Sequence, residues 1–195
     1  MVFYLPSTLQ PNVIIRCMHN LIKKLILISL FQAKPQDLPT SRQLAIASGF
    51  VLALIGALGG NISLDENIST GTMTIFSFIQ IIALGALTWL ILQKKQLTER
   101  WYQSVTALFG TQTLLTLLTM PMISWHLRIA GSLVFDEKLV ITVPLLTAGI
   151  LALWAYAVAI YIVRITLETT LSSAFFLTIF VFVASNVIAL TLTPR

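Results

Sequence analysis

The stretch LSSAFFLTIFVFVASNVIALTL, residues 171–192, runs for a full span's length without one Asp, Glu, Lys or Arg. A helix rises 1.5 Å per residue, so about 20 apolar residues cross the ~30 Å hydrocarbon core of a bilayer. Four further stretches share this property: 44–60, 72–92, 104–125 and 140–163. Five such runs in 195 residues leave no length for a separate soluble domain. The expected fold class is all-α, a polytopic membrane bundle of five transmembrane helices (43–195) behind an N-terminal segment (1–42).

Composition points the same way. Hydrophobic residues make up 57% of the chain and charged residues 10%, less than half the ~25% of a soluble domain. A net charge of +5 and a pI near 9.7 raise nucleic acid as a partner, but the Lys and Arg collect at the ends of the apolar runs. Cytoplasmic anchoring explains the charge, and no nucleic-acid partner is expected. One cysteine, Cys17, excludes an internal disulfide and a cysteine cluster, and two histidines are too few for a His-based metal centre. No metal or other cofactor is expected.

The charges also orient the chain. Arg16, Lys23, Lys24, Lys34 and Arg42 precede the first span, Lys94, Lys95 and Arg100 follow the second, and Arg164 follows the fourth. With the N-terminus in the cytoplasm, nine of the twelve basic residues lie inside and only Arg128, Lys138 and Arg195 outside. The expected orientation is therefore an N-terminus in the cytoplasm and a C-terminus outside. The longest external connection is expected from His126 to Leu139.

Residues 12–33 challenge the span count, because Val13–Ile15 and Leu25–Phe31 are apolar. Between them Asn12, Arg16, His19, Asn20, Lys23 and Lys24 recur at helical spacing and form one polar stripe. A Lys or Arg at mid-bilayer costs ~2.5–3.5 kcal/mol, and a sixth span here would bury three. The expectation is an interfacial amphipathic helix whose basic stripe meets anionic lipid head groups. A helix packed on the cytoplasmic end of the bundle is the alternative. Pro35 and Pro39 then break the helix into an elbow, and Thr40 or Ser41 caps the first span.

Inside the spans, Gly49, Ala53 and Ala57 lie four residues apart, as do Gly56 and Gly60, Ala148 and Ala152, and Ala155 and Ala159. Such ridges let helices approach closely, with homo-oligomer contact as a lesser use. The polar intramembrane candidates are Gln80, Gln112 and Asn186, read as interhelical contacts or as the lining of a substrate path. Thr111, Thr113, Thr116 and Thr119 can bond carbonyls one turn back, and Pro121 is expected to kink or end span three. Trp89, Trp101, Tyr102, Trp125 and Tyr161 fit an interfacial aromatic belt.

Nucleophile elbows, zinc-protease helices and phosphate-binding glycine loops are missing from the sequence. Asp37, Glu99 and Glu168 fall on the cytoplasmic side and make a catalytic set only if folding gathers them. Five spans do not divide into two equal inverted halves of a transporter.

The layout as a whole resembles the Yip1-domain membrane proteins, and more narrowly small proteobacterial inner-membrane proteins built that way. The residues carrying the closer resemblance are AKPQDLPTS (33–41) ahead of span one and SVTALFGT (104–111) opening span three. The acidic-tyrosine-glycine-proline stretch of eukaryotic Yip1 proteins is missing, so their binding of prenylated GTPases does not carry over. The resemblance implies a multi-pass protein of the bacterial cytoplasmic (inner) membrane, which makes the external C-terminus periplasmic, and a helical scaffold or adaptor with no catalytic residue. The expected function is a non-enzymatic accessory protein that binds another membrane protein or lipid. Its candidate surface is Arg16, Lys23, Lys24, Lys34, Asp37, Arg42, Lys94, Lys95 and Arg100. The rivals are a small oligomeric channel or transporter, using Gln80, Gln112 and Asn186, and an intramembrane lipid-modifying enzyme.

Overall fold

The computed structural model describes residues 11–63, 70–132 and 142–193, with side chains placed over 18–59, 70–129 and 142–193. The side chain of Arg16 and the residues Asp65, Glu66, Asp136, Glu137, Lys138 and Arg195 lie outside these. Among the described residues six α-helices follow one another: α1 Pro11–Ser29, α2 Arg42–Ser63, α3 Thr70–Lys94, α4 Trp101–Ser132, α5 Val143–Leu167 and α6 Leu171–Leu192. Helices α2 to α6 are long and apolar enough to cross a membrane, whereas α1 is not. The chain has the helices of a multi-pass membrane protein, as its five charge-free runs predict.

The five long helices close into a ring, each packed on two neighbours in the order α2, α3, α6, α5, α4 and back to α2. Small residues set the closest approaches. Ala53 and Ala57 are buried, and a Cβ on Gly49 would stand 3.0 Å from the Phe109 ring on α4. On α5, Ala148 and Ala159 are buried while Ala152 is exposed, so only part of that expected ridge is a packing seam. The centre holds Leu84, Leu108, Phe109, Leu115, Val158, Ile162 and Val181. Large apolar side chains such as Ile82, Leu153, Phe176 and Leu190 point outward, the reverse of a water-soluble protein and the arrangement a lipid solvent requires.

Two boundaries differ from expectation. Helix α4 does not end at Pro121. It runs to Ser132, because a proline removes a single donor and the helix can continue beyond it. The expected loop from His126 is thereby shortened. Helix α5 starts at Val143 rather than 140, because Thr142 is extended and its Oγ1 accepts from Leu145 N at 3.4 Å, with Pro144 in the first turn.

Helix α1 packs outside the ring against α4 and α5. Leu25 and Ile28 are buried there, and the Leu25 side chain occupies the space of a Cβ on Gly110, whose absence lets α1 approach. His19, Asn20 and Lys23 of the polar stripe stay exposed. At its C-terminus Phe31 N bonds Ile28 O and Gln32 N bonds Leu27 O around a left-handed Phe31, φ 59°. This is a Schellman cap with phenylalanine where glycine is usual. The Phe31 ring packs edge-on against Trp154 and Tyr161, each at 5.2 Å. Trp154 Nε1 donates to Ser29 O at 3.0 Å and Tyr161 Oη to Ala33 O at 3.2 Å. The chain then climbs α5 until Gln36 Nε2 reaches Ile165 O at 3.4 Å. Trp154 and Ile165 are eleven residues apart, about 16 Å along the helix. Tyr161 therefore serves as a clamp on this segment rather than as a free belt residue.

The same cap closes α3 at Gln96, φ 58°, through Leu97 N to Leu92 O and Gln96 N to Gln93 O, but Gln96 is exposed. Gln96→Gly relieves the left-handed strain and is expected to stabilise the protein by about 1 kcal/mol. Phe31→Gly loses its stacking and is expected to destabilise it. Thermal unfolding in detergent reads both, and a loss of stability for Gln96→Gly would contradict the capping account.

Candidate functional site

The ends of α3 and α5 and the starts of α2, α4 and α6 meet at one end of the ring, which carries most of the described basic residues, with Arg128 near the other end. Lys34, Asp37, Arg42, Lys94, Lys95 and Arg100 of the candidate surface all lie at this cationic end, and Lys23 and Lys24 lie on α1 beside it. The N-terminal segment is fastened here by Gln103 on α4, whose Nε2 donates to Gln36 O at 3.1 Å and Leu38 O at 2.8 Å. Ser41 Oγ accepts from Leu44 N at 3.3 Å and caps α2, one of the two expected caps. Gln103 was not among the candidates, since it lies one residue before the charge-free run and reads as a boundary.

The charges have distinct local uses. Asp37 Oδ2 accepts from Lys34 N at 2.8 Å and closes the 3-10 turn Pro35–Asp37. Lys24 Nζ donates to the Asp37 carbonyl, tying α1 to that turn. Arg100 pairs with Glu168 at 2.5 Å, with both side chains partly open to solvent. Such a pair contributes at most about 1 kcal/mol and fixes geometry more than stability. Glu99 is exposed on the turn Thr98–Arg100. Asp37 and Glu168 thus have separate partners, and the structure gives no gathered carboxylate set. Among the described residues no cluster of three His, Cys, Asp or Glu is placed to hold a metal.

In the membrane-spanning part, Gln80 Nε2 donates to Asn186 Oδ1 at 3.1 Å and joins α3 to α6. Asn186 Nδ2 in turn donates to Phe182 O at 2.8 Å. Gln112 Nε2 donates to Ala155 O at 3.1 Å and joins α4 to α5. Trp101, expected in the belt, donates from Nε1 to Gly85 O at 3.1 Å and joins α4 to α3. Thr111 and Thr119 bond back to Ala107 O and Leu115 O, whereas Thr113 Oγ1 is buried without a partner. Gln112, Thr116, Thr119 and Tyr156 line a cavity of about 380 Å³ between α2, α4 and α5.

Two lateral grooves reach the cationic end. One of about 780 Å³ lies between α2, α3 and α4, lined by Phe50, Phe78, Trp89 and Phe109 with Arg42 at its rim. The other, of about 570 Å³, lies between α5 and α6, with Phe31 and Phe175 on its walls and Arg164 at its end. Comparison with protein-family models, curated proteins and solved structures returns no match for this chain.

The Gln80–Asn186 bond is the contact most open to measurement. Gln80→Leu and Asn186→Leu should each destabilise the protein, and the double variant should lose about 1 kcal/mol less than the two combined. Strict additivity in a double-mutant cycle would show that the pair carries no interhelical bond.

Proposed function

We propose that this protein is a non-enzymatic accessory or scaffold subunit of Yip1-like type in the bacterial cytoplasmic membrane. In this reading its N-terminus and cationic end face the cytoplasm and its C-terminus faces the periplasm, and it acts by binding another membrane protein or lipid. The observation that carries the reading is a division of labour. Gln80, Gln112 and Asn186 are engaged between helices. Lys94 and Lys95, by contrast, are exposed where α3 ends at the cationic end and carry no ion pair among the described residues. Outward-facing aromatic and aliphatic side chains supply the membrane-embedded part of such a surface. Most of the small-residue face of α2 is already used within the ring, with Ala53 and Ala57 buried, so a second copy is a less suitable partner than a different membrane protein.

The cavity beside Gln112 supports a second reading, a small channel or transporter, since it offers a polar group and about 380 Å³ within the bundle. Purification in native nanodiscs followed by mass spectrometry separates the two. The scaffold reading expects a stoichiometric membrane-protein partner that is lost from a Lys94→Glu, Lys95→Glu variant of unchanged abundance. A protein recovered alone, with flux that Gln112→Leu abolishes, would replace that reading with transport.

A further inference from the structure

A polar pocket of about 520 Å³ opens at the cationic end between the N-terminal elbow, the turn before α4 and the end of α5, lined by Lys34, Gln36, Arg100, Arg164, Glu168 and Thr169. Three cations face one carboxylate there, and that carboxylate is already paired with Arg100. Lys34 Nζ and the Arg164 guanidinium have no hydrogen-bond or ion-pair partner among the described residues. Two further oxygens, Gln36 Oε1 and Thr169 Oγ1, are buried without a partner, a costly state for a folded protein unless a ligand or solvent completes it.

Arg164 also lines the 570 Å³ groove between α5 and α6. That groove is apolar along Ala157, Ile160, Phe175 and Phe176, and the outward exposure of Phe175 and Phe176 opens it sideways to lipid. A charged pocket at the rim of the membrane and an apolar groove below it therefore meet at one arginine. Glycerophospholipids have this shape, a phosphate head group joined to acyl chains.

We propose that this compound site holds one anionic glycerophospholipid. Its phosphate lies against Lys34 and Arg164, and Thr169 Oγ1 donates to a phosphate oxygen. A hydroxyl of the head group donates to Gln36 Oε1, and one acyl chain occupies the α5–α6 groove. The excess of cations selects against zwitterionic lipids, and Glu168 holds Arg100 in place at the pocket wall. The bound lipid would join the elbow after α1 to α5 and α6, so that the N-terminal segment and the ring respond together to anionic lipid. The site rests on the reading of the cationic end as a binding surface and names the lipid class for it.

Native mass spectrometry of the protein released from nanodiscs tests the site, with phosphatidylglycerol and phosphatidylcholine as probes. One phosphatidylglycerol retained per chain in preference to phosphatidylcholine is expected. Lys34→Ala with Arg164→Ala should weaken that retention by about 30-fold, given two lost cations at the membrane surface. Arg128→Ala, an exposed cation lost near the opposite end of α4, should leave it unchanged. Ala157→Trp fills the groove from its exposed side without altering charge and should also lose the lipid. Circular dichroism melts confirm that each variant is folded. Equal retention of both lipids, retention by the double alanine variant, or displacement of the lipid by millimolar inorganic phosphate alone would overturn the site. A membrane partner that still co-purifies in any of those cases would leave the adaptor reading standing and remove only the lipid.

Discussion

A polar group in hydrocarbon has no water to turn to, and that constraint organises this molecule more than any single packed contact. Within each long helix the backbone satisfies itself. What remains are polar side chains, and the amides and the Trp101 indole each find a partner on a neighbouring helix. Asn186 takes the Gln80 amide, the Ala155 carbonyl takes Gln112, and the Gly85 carbonyl takes the Trp101 indole. Two of the bonds fall on seams of the ring, α3–α6 and α4–α5, and the third crosses between α3 and α4. They give direction to a packing surface that, among apolar spans, has little hydrophobic driving force of its own.

Helix α1 shows the same constraint acting on a segment that does not span. Its charges bar it from crossing the bilayer, and its apolar face needs burial. The ring provides a seat where Gly110 lacks a side chain. Ending a helix there exposes its last carbonyls, and α5 answers with two aromatic donors, Trp154 to Ser29 and Tyr161 to Ala33. The left-handed Phe31 is tolerated because its ring is held between those same two aromatics. The elbow is thus less a hinge than a strap laid along α5, closed at its far end by Gln103.

How much of this was legible follows from what each feature depends on. The spans were readable because charge exclusion acts residue by residue, and α6 matches its charge-free run at both ends. Helix ends read less well where glycine was missing: α3 and α5 close on left-handed Gln96 and Glu168, and neither residue carries the usual signal. Helix α4 outran its charge-free stretch because a helix persists past a proline and past Arg128. Of the candidate residues, Gln80 and Asn186 came together, yet sequence gave no means of pairing positions 106 apart. Asp37 looked like a possible acid and proved to close its own turn. Gln103 and the aromatic clamp were missed, because a glutamine at a span boundary and a tryptophan inside one are ordinary until a partner is placed against them.

The interior and the cationic end therefore differ in kind. Interior polar groups are neutral and mostly matched one to one, so exchanging any of them for a ligand contact would break a helix–helix bond. The cationic end holds groups that the fold leaves unmatched: Lys34, Arg164, Gln36 Oε1 and Thr169 Oγ1 around one pocket, and Lys94 and Lys95 at the exposed end of α3. A fold that pairs Gln112 with a backbone carbonyl had ready means to pair these as well, since Glu99 is exposed on the neighbouring turn. Recognition is favoured where unmatched charge and an apolar groove share a boundary, because a ligand there gains from both solvents. At this end of the ring Arg164 stands on that boundary.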